Sequence, residues 1–241
     1  MKPRMPGSIR LVCFDLGGVL VRICQSWEEA YRIAGLDVRE EPTHPSVSER
    51  RRELASLHGT GDISIDEWAV GTSAALQGVY SADELKLAHH ALSREQNPGA
   101  IELVDELHEV GIATACLSNT NHTHWMRLVH RDGDRVLEGT PEYPAVVRLQ
   151  RHFASHLLRL AKPADEIYAR FEDLTGFGPS EILFFDDMEE NVAAARRRGW
   201  HAERVTASYL DAVAQMREHL CRLRIVAPAV QQGSGDDDRI G

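Results

Sequence analysis

The run Ile9-Arg10-Leu11-Val12-Cys13-Phe14-Asp15-Leu16-Gly17-Gly18 reads as a strand that ends in a carboxylate and is broken by two glycines. A continuous apolar stretch of this length fits a strand buried on both faces. Two later stretches repeat the pattern. Ile112 to Leu117 ends at Ser118-Asn119, and Ile182-Leu183-Phe184-Phe185 ends at Asp186-Asp187. Helical segments lie between them. Pro98 to Val110 is amphipathic and stops at Gly111, Ala164 to Thr175 stops at Gly176, and Asn191 to Arg198 stops at Gly199. Short strands are expected at Phe153-Ala154-Ser155 and His201 to Thr206, a last helix over Ser208 to Arg224, and an irregular excursion over 131–148. Strands alternating with helices predict an α/β, Rossmann-like, doubly wound parallel sheet with right-handed crossovers.

Residues 22–96 interrupt that alternation. Trp27 to Ala34, Arg50 to Leu57, Ser64 to Leu76 and Ser81 to Ser93 have helical spacing, and the last two open on capping boxes, Ser64-Ile65-Asp66-Glu67 and Ser81-Ala82-Asp83-Glu84. The predicted organisation is an α/β core of 1–21 and 97–230, a small helical cap of 22–96 inserted into it, and a disordered tail of 231–241.

With 43% hydrophobic and 27% charged residues, the 241-residue chain has an ordinary globular composition. Its formal net charge of −10 argues against nucleic acid or a membrane surface as partner, because both recruit basic faces. Cys13, Cys24, Cys116 and Cys221 show no paired or metal-type spacing, which fits a reducing compartment. No apolar stretch suits a signal peptide or a membrane span, so the expected location is cytoplasmic. Nothing in the pattern sets an oligomeric state.

In open α/β sheets, ligands bind beyond the carboxyl ends of the strands. Here those ends carry Asp15, Ser118 and Asp186-Asp187, and Lys162 stands just before a helix. Such a set suits Mg²⁺, which takes hard oxygen ligands. A cation and a lysine together remove the repulsion between a carboxylate nucleophile and a phosphate dianion. Asp15 can then attack phosphorus in line, giving an aspartyl-phosphate that water hydrolyses.

Four stretches in order carry a resemblance to the haloacid-dehalogenase superfamily, over roughly residues 9–206. They are Phe14-Asp15-Leu16-Gly17-Gly18-Val19-Leu20, Leu117-Ser118-Asn119-Thr120-Asn121, Lys162-Pro163 with Ile167-Tyr168, and Phe184-Phe185-Asp186-Asp187 with Asn191. The nearest likeness is to the subgroup that includes α-D-glucose-1-phosphate phosphatase and the N-terminal phosphatase of soluble epoxide hydrolase. The resemblance implies Asp15 as nucleophile and metal ligand, Gly17 as a carbonyl ligand, and Asp187 as a metal ligand supported by Asp186. It implies Ser118 and the Asn119 amide as holders of the phosphoryl oxygens, and Lys162 as a bridge between phosphate and nucleophile. The cofactor it implies is Mg²⁺ and the partner a small-molecule phosphate ester, such as a sugar phosphate.

One departure bears on activity. Most phosphatases of the family carry a second Asp two residues after the nucleophile as general acid, and here that position is Gly17, as it is in some active members of the subgroup this chain resembles. General acids contribute about 10²–10⁴-fold. The expectation is therefore slow turnover or a replacement acid from the cap, with a catalytically weak or inactive binding protein as the alternative. A receiver domain places its acidic pair early in the chain, a dehalogenase needs no metal, and a phosphomutase needs the missing acid.

Arg22 and His124 are candidate substrate contacts, the first in the flap after Asp15 and the second after the Ser118 motif. His122, His124 and His130 lack the cysteines that would support a zinc site. Trp27 and Trp68 are expected in the core of the cap, and Arg196-Arg197-Arg198 on a solvated helix face.

Overall fold

The structure, a computed structural model, describes residues 8–206 and 212–227. The strands are β1 (Leu11–Phe14), β2 (Val21–Ile23), β3 (Ser93–Gln96), β4 (Ala113–Ser118), β5 (Arg131–Asp132), β6 (Arg135–Val136), β7 (Arg151–Ala154), β8 (Ile182–Asp186) and β9 (His201–Arg204). The helices are α1 (Trp27–Ile33), α2 (Pro45–Gly59), α3 (Ile65–Ala75), α4 (Ala82–Ala91), α5 (Ala100–Glu109), α6 (His122–Val129), α7 (Pro144–Arg148), α8 (Ser155–Leu158), α9 (Asp165–Thr175), α10 (Glu189–Arg197) and α11 (Ala212–Arg222).

Five strands pair in parallel in the order β7-β4-β1-β8-β9. β1 is central, and its four residues alternate between two cores. Val12 and Phe14 join the cluster formed with α5, α6, α7 and α11, while Leu11 and Cys13 join Tyr168, Phe171, Val192 and Trp200 under α9 and α10. Burial on both faces is why the strand reads as an unbroken apolar run. The helices cover both faces, as a doubly wound fold requires.

Helices α1–α4 bury a third cluster of their own, with Tyr31, Leu54, Trp68, Leu76, Tyr80 and Leu85 at its centre. Both predicted capping boxes form, at Ser64 with Glu67 and at Ser81 with Glu84. Helix α2 begins five residues before the expected Arg50, with Pro45 at its first turn and the His44 side chain accepting from Ser46 N. Proline reads as a breaker inside a helix but starts one readily, since its missing N–H has no partner there anyway. The chain enters and leaves this helical group through β2 and β3, an antiparallel ribbon. Asn97 locks the exit, donating its side-chain Nδ2 to Val19 O at 2.7 Å and its backbone N to Leu20 O at 2.8 Å.

The excursion over 131–148 contains the small β5–β6 hairpin and α7, and β7 forms at 151–154, close to the expected strand. The predicted last helix is present from Ala212, and its first residues and the 231–241 tail lie outside the described residues. All four cysteines are free thiols. Among the described residues no helix is long and apolar enough to cross a membrane.

Candidate active site

Parallel pairing keeps Phe14 level with Cys116 of β4 and Phe185 of β8, so the residues that follow converge at one edge of the sheet. Asp15, Ser118 and Asp186 all sit there, buried. Asp15 N donates to Phe185 O at 2.8 Å, fixing the strand as it ends. Oδ1 of Asp15 accepts from Leu16 N at 2.7 Å and lies 3.1 Å from Lys162 Nζ.

Lys162 reaches this point because Asn119 clamps its backbone. Asn119 Nδ2 donates to Lys162 O at 2.8 Å, and Lys162 N donates back to Asn119 Oδ1 at 2.9 Å. The ammonium then donates to Asp186 Oδ2 at 2.6 Å. Asp186 is saturated by further donors, Met188 N at 2.8 Å and Asn191 Nδ2 at 2.9 and 3.1 Å. Asp187 is half-buried and turns its carboxylate to the cavity instead.

One oxygen from each of Asp15, Asp186 and Asp187 lies within 4.8 Å of the others, so three carboxylates face a single lysine. The electrostatics record that imbalance. Burial, with Asp186 and Asp187 nearby, pushes the Asp15 carboxyl well above the usual carboxylate range, against the pull of Lys162 and a hydrogen bond from Ser118. Burial and Asp186 likewise raise Asp187. Burial works to discharge Lys162, but Asp15 and Asp186 outweigh it and hold the ammonium charged. Uncompensated buried charge is costly, and a hard divalent cation bound between Asp15 and Asp187 is the chemistry this donor set fits.

Gly18 belongs to the same geometry. It sits at φ +73°, and a Cβ there would fall 2.7 Å from Asp187 Oδ2. Gly18→Ala is expected to displace that carboxylate and weaken Mg²⁺ binding at least about tenfold, measured by calorimetry, with a stability loss of about 1 kcal/mol from the left-handed backbone.

A cavity of about 450 Å³ opens over these groups, with Asp15, Gly17, Ser118, Asn119, His124 and Asp187 on its wall. The inserted segment contributes Ile23, Cys24, Leu92 and Ser93 to that wall, none of them an acid. Glu190, on the first turn of α10, supplies the further carboxyl there, and sequence reasoning missed it because it carries no pattern beyond an ordinary helix start. Arg22 is on β2 and outside that wall, 2.5 Å from Glu95 Oε1. His122 faces Asp132 at 3.9 Å rather than the other histidines of its motif.

His124 packs at the cavity edge, stacked on His89 with ring centroids 4.2 Å apart. Its Nε2 lies 2.7 Å from His89 O, and a carbonyl only accepts, so that nitrogen carries the proton. Burial lowers His124 to about 4 and His89 to about 2. Both are neutral in the fold, whereas in the unfolded chain each takes a proton near pH ~6.5. The unfolded state therefore binds more protons in acid. This contribution is intact above about pH 7 and is lost as pH falls through about 6.5, costing about 2 kcal/mol per histidine by pH 5. Denaturant melts of His124→Gln should show a shallower loss between these pH values than the wild type.

Comparison with known proteins agrees with this architecture. The family model described as haloacid dehalogenase-like hydrolase matches residues 9–199. A wild-type HAD family enzyme from Bacteroides thetaiotaomicron, in complex with magnesium and inorganic phosphate, superposes with TM-score 0.63 at 22% identity, over 83% of this chain and 96% of that one. A predicted HAD-like family hydrolase from Porphyromonas gingivalis gives TM-score 0.63 at 22% identity over 87% and 98%. L-2-haloacid dehalogenase from Xanthobacter autotrophicus, with chloropropionic acid covalently bound, gives TM-score 0.56 at 21% over 91% and 85%. With the family match spanning most of its length, this chain belongs to the haloacid dehalogenase-like hydrolases.

Proposed function

We propose that the protein is a Mg²⁺-dependent phosphatase that hydrolyses a small phosphomonoester, such as a sugar phosphate, through an aspartyl-phosphate on Asp15. The observation that carries this reading is the cluster of three carboxylates against one lysine. A dehalogenase acting on an uncharged carbon has no use for a third carboxylate, whereas a phosphatase holding a divalent cation does. The magnesium and phosphate held by the Bacteroides enzyme support the same choice.

In this reading an Asp15 oxygen bonds phosphorus as the ester P–O bond breaks. The leaving oxygen takes its proton from water in the cavity, there being no acid at Gly17. A second water hydrolyses the aspartyl-phosphate to inorganic phosphate and free Asp15. Ser118 and the backbone amide of Asn119 hold the phosphoryl oxygens, and Lys162 keeps Asp15 ionised and draws the phosphate to it. Asp15, the carbonyl of Gly17 and Asp187 hold the metal, with Asp186 fixing Lys162 and shaping the site from behind. Mg²⁺, when bound, supplies charge neutralisation between the anionic nucleophile and the anionic ester. Residues 22–96, with their own core and ribbon connection, serve as a cap that excludes water and selects the leaving group. His124 contributes to the wall that meets the substrate, whereas Arg22, outside that wall and paired with Glu95, is not needed for it.

Phosphate release from p-nitrophenyl phosphate and a panel of sugar phosphates, with and without Mg²⁺, tests the proposal. Release that needs Mg²⁺ supports it, and chloride release from 2-chloropropionate without metal would replace it with a dehalogenase. The second reading, a binding protein of little or no turnover, is favoured by Gly17 and by the lack of an acid from the cap on the described cavity wall. Gly17→Asp restores the missing group, and its Cβ meets Ile23 Cγ2 at 3.3 Å, so Ile23→Ala, which removes that methyl, should accompany it. The pair is expected to raise kcat about tenfold.

A further inference from the structure

The turn that follows α2 rests on α8 of the core at three points. Ser155 Oγ lies 2.6 Å from Gly59 O. Asp62 pairs with Arg159 at 2.7 Å on the surface. Between them Gly61, at φ +76°, comes so close that a Cβ would fall 3.0 Å from His156 O.

Ser155 is fully buried and also serves the loop after β4. It follows Ala154, which is level with Ser118 in the parallel pairing of β4 and β7. Its Oγ accepts from Thr120 N at 2.9 Å, one residue past the Asn119 that clamps Lys162. The same oxygen is 2.9 Å from Thr120 O. A hydroxyl has one proton, so only one of the two carbonyls receives it at a time. Gly59 O is the nearer, and the two carbonyls differ in need. Thr120 O already accepts from His156 Nδ1 at 3.1 Å. Gly59 O closes α2, and the amide four residues on, Ile63 N, goes to Leu57 O instead. The proton therefore belongs to Gly59. One core hydroxyl satisfies the open carbonyl end of a helix in the 22–96 insertion and, with a lone pair, fixes Thr120. With that insertion swung away, the nearest remaining acceptor is Thr120 O, which the hydroxyl must share with His156.

We propose that Ser155 is a positioning residue for phosphoryl transfer. Its hydroxyl catches the closed cap and holds the Ser118-Asn119-Thr120 loop at once, so that the loop is set for the phosphoryl oxygens beneath a shut cap. This rests on the phosphatase reading and adds to it the contact that couples cap to loop.

The test is a double-variant cycle on the turnover of a hexose monophosphate with Mg²⁺. Ser155→Ala removes the catch from the core side. Gly61→Ala removes it from the cap side, by pushing the turn off α8. Gly78→Ala is the control, because Gly78 shares the backbone of Gly61 at φ +76° but a Cβ there meets nothing within 4 Å. Thermal melts report the fold, and Ser155→Cys, similar in size but a weak donor, takes the place of Ser155→Ala if that variant does not fold. Ser155→Ala and Gly61→Ala are each expected to lower kcat/KM about tenfold, with the loss on kcat, since an ester bound under an open cap does not react. The double variant should lose no more than about tenfold, because both changes break one contact. Gly78→Ala should match the wild type. A double variant that loses about a hundredfold, a loss confined to KM, a Ser155→Ala that keeps wild-type turnover, or Gly61→Ala no worse than Gly78→Ala would overturn the inference and leave the phosphatase reading in place. If no ester is turned over, the phosphatase reading fails and amide hydrogen exchange decides the catch. Exchange about tenfold faster in the turn 59–63 of Ser155→Ala, with α3 unchanged, supports it. Exchange that rises no more in that turn than in α3 overturns it.

Discussion

Asp15→Asn is expected to lower phosphate release at least about 10⁴-fold while making the metal-free protein more stable. The two effects share one cause. Asp15 is buried among Asp186 and Asp187 with a single lysine to balance all three, and that crowding raises its carboxyl far above the ordinary range. An amide keeps the shape and the bond from Leu16 N to Oδ1, and removes one of the competing negative charges. It cannot attack phosphorus. Melting curves in chelator should therefore move up as activity disappears, which separates loss of chemistry from loss of fold. A variant that is destabilised in chelator, or that retains activity within about tenfold, contradicts the assignment.

Lys162→Ala is expected to act in the opposite sense on stability. The ammonium bridges Asp15 at 3.1 Å and Asp186 at 2.6 Å with its side chain fully buried. Removing it leaves two buried carboxylates without their cation, a loss of about 3–5 kcal/mol in chelator. For a chain of this size that lowers the melting temperature by roughly 10 °C. Added Mg²⁺ should return part of that loss, because the metal takes over neutralisation, and the rescue should be larger than the shift Mg²⁺ gives the wild type. Activity should fall at least about 10²-fold even when metal is saturating, since in the proposed mechanism the lysine also meets the phosphate. Melts of wild type and variant across a Mg²⁺ titration measure this directly. Equal destabilisation with and without Mg²⁺ would show that the lysine acts by packing alone.

The sheet was readable in advance because its strands are buried on both faces. Leu11 to Phe14 and Ile182 to Phe185 have no polar partner pattern that another element could satisfy. The ends of those strands were readable for the same reason, since a carboxylate that closes a buried run has little to do there except bind something. The β2–β3 ribbon was not. Val21–Ile23 and Ser93–Gln96 are short, mixed in polarity and paired across the whole helical insertion, so no local signal marks them. The clamp of Asn119 on the Lys162 backbone was hidden likewise, because it joins residues 43 apart in the chain.

The most direct test of the account is to quench the wild-type protein during turnover of a phosphomonoester with Mg²⁺ and map the phosphoryl group by peptide mass spectrometry. The account predicts an acid-stable, hydroxylamine-sensitive phosphoryl adduct on the peptide carrying Asp15, absent without Mg²⁺ and absent in Asp15→Asn. Sustained phosphate release with no adduct on that peptide, or with the adduct on another residue, would contradict it.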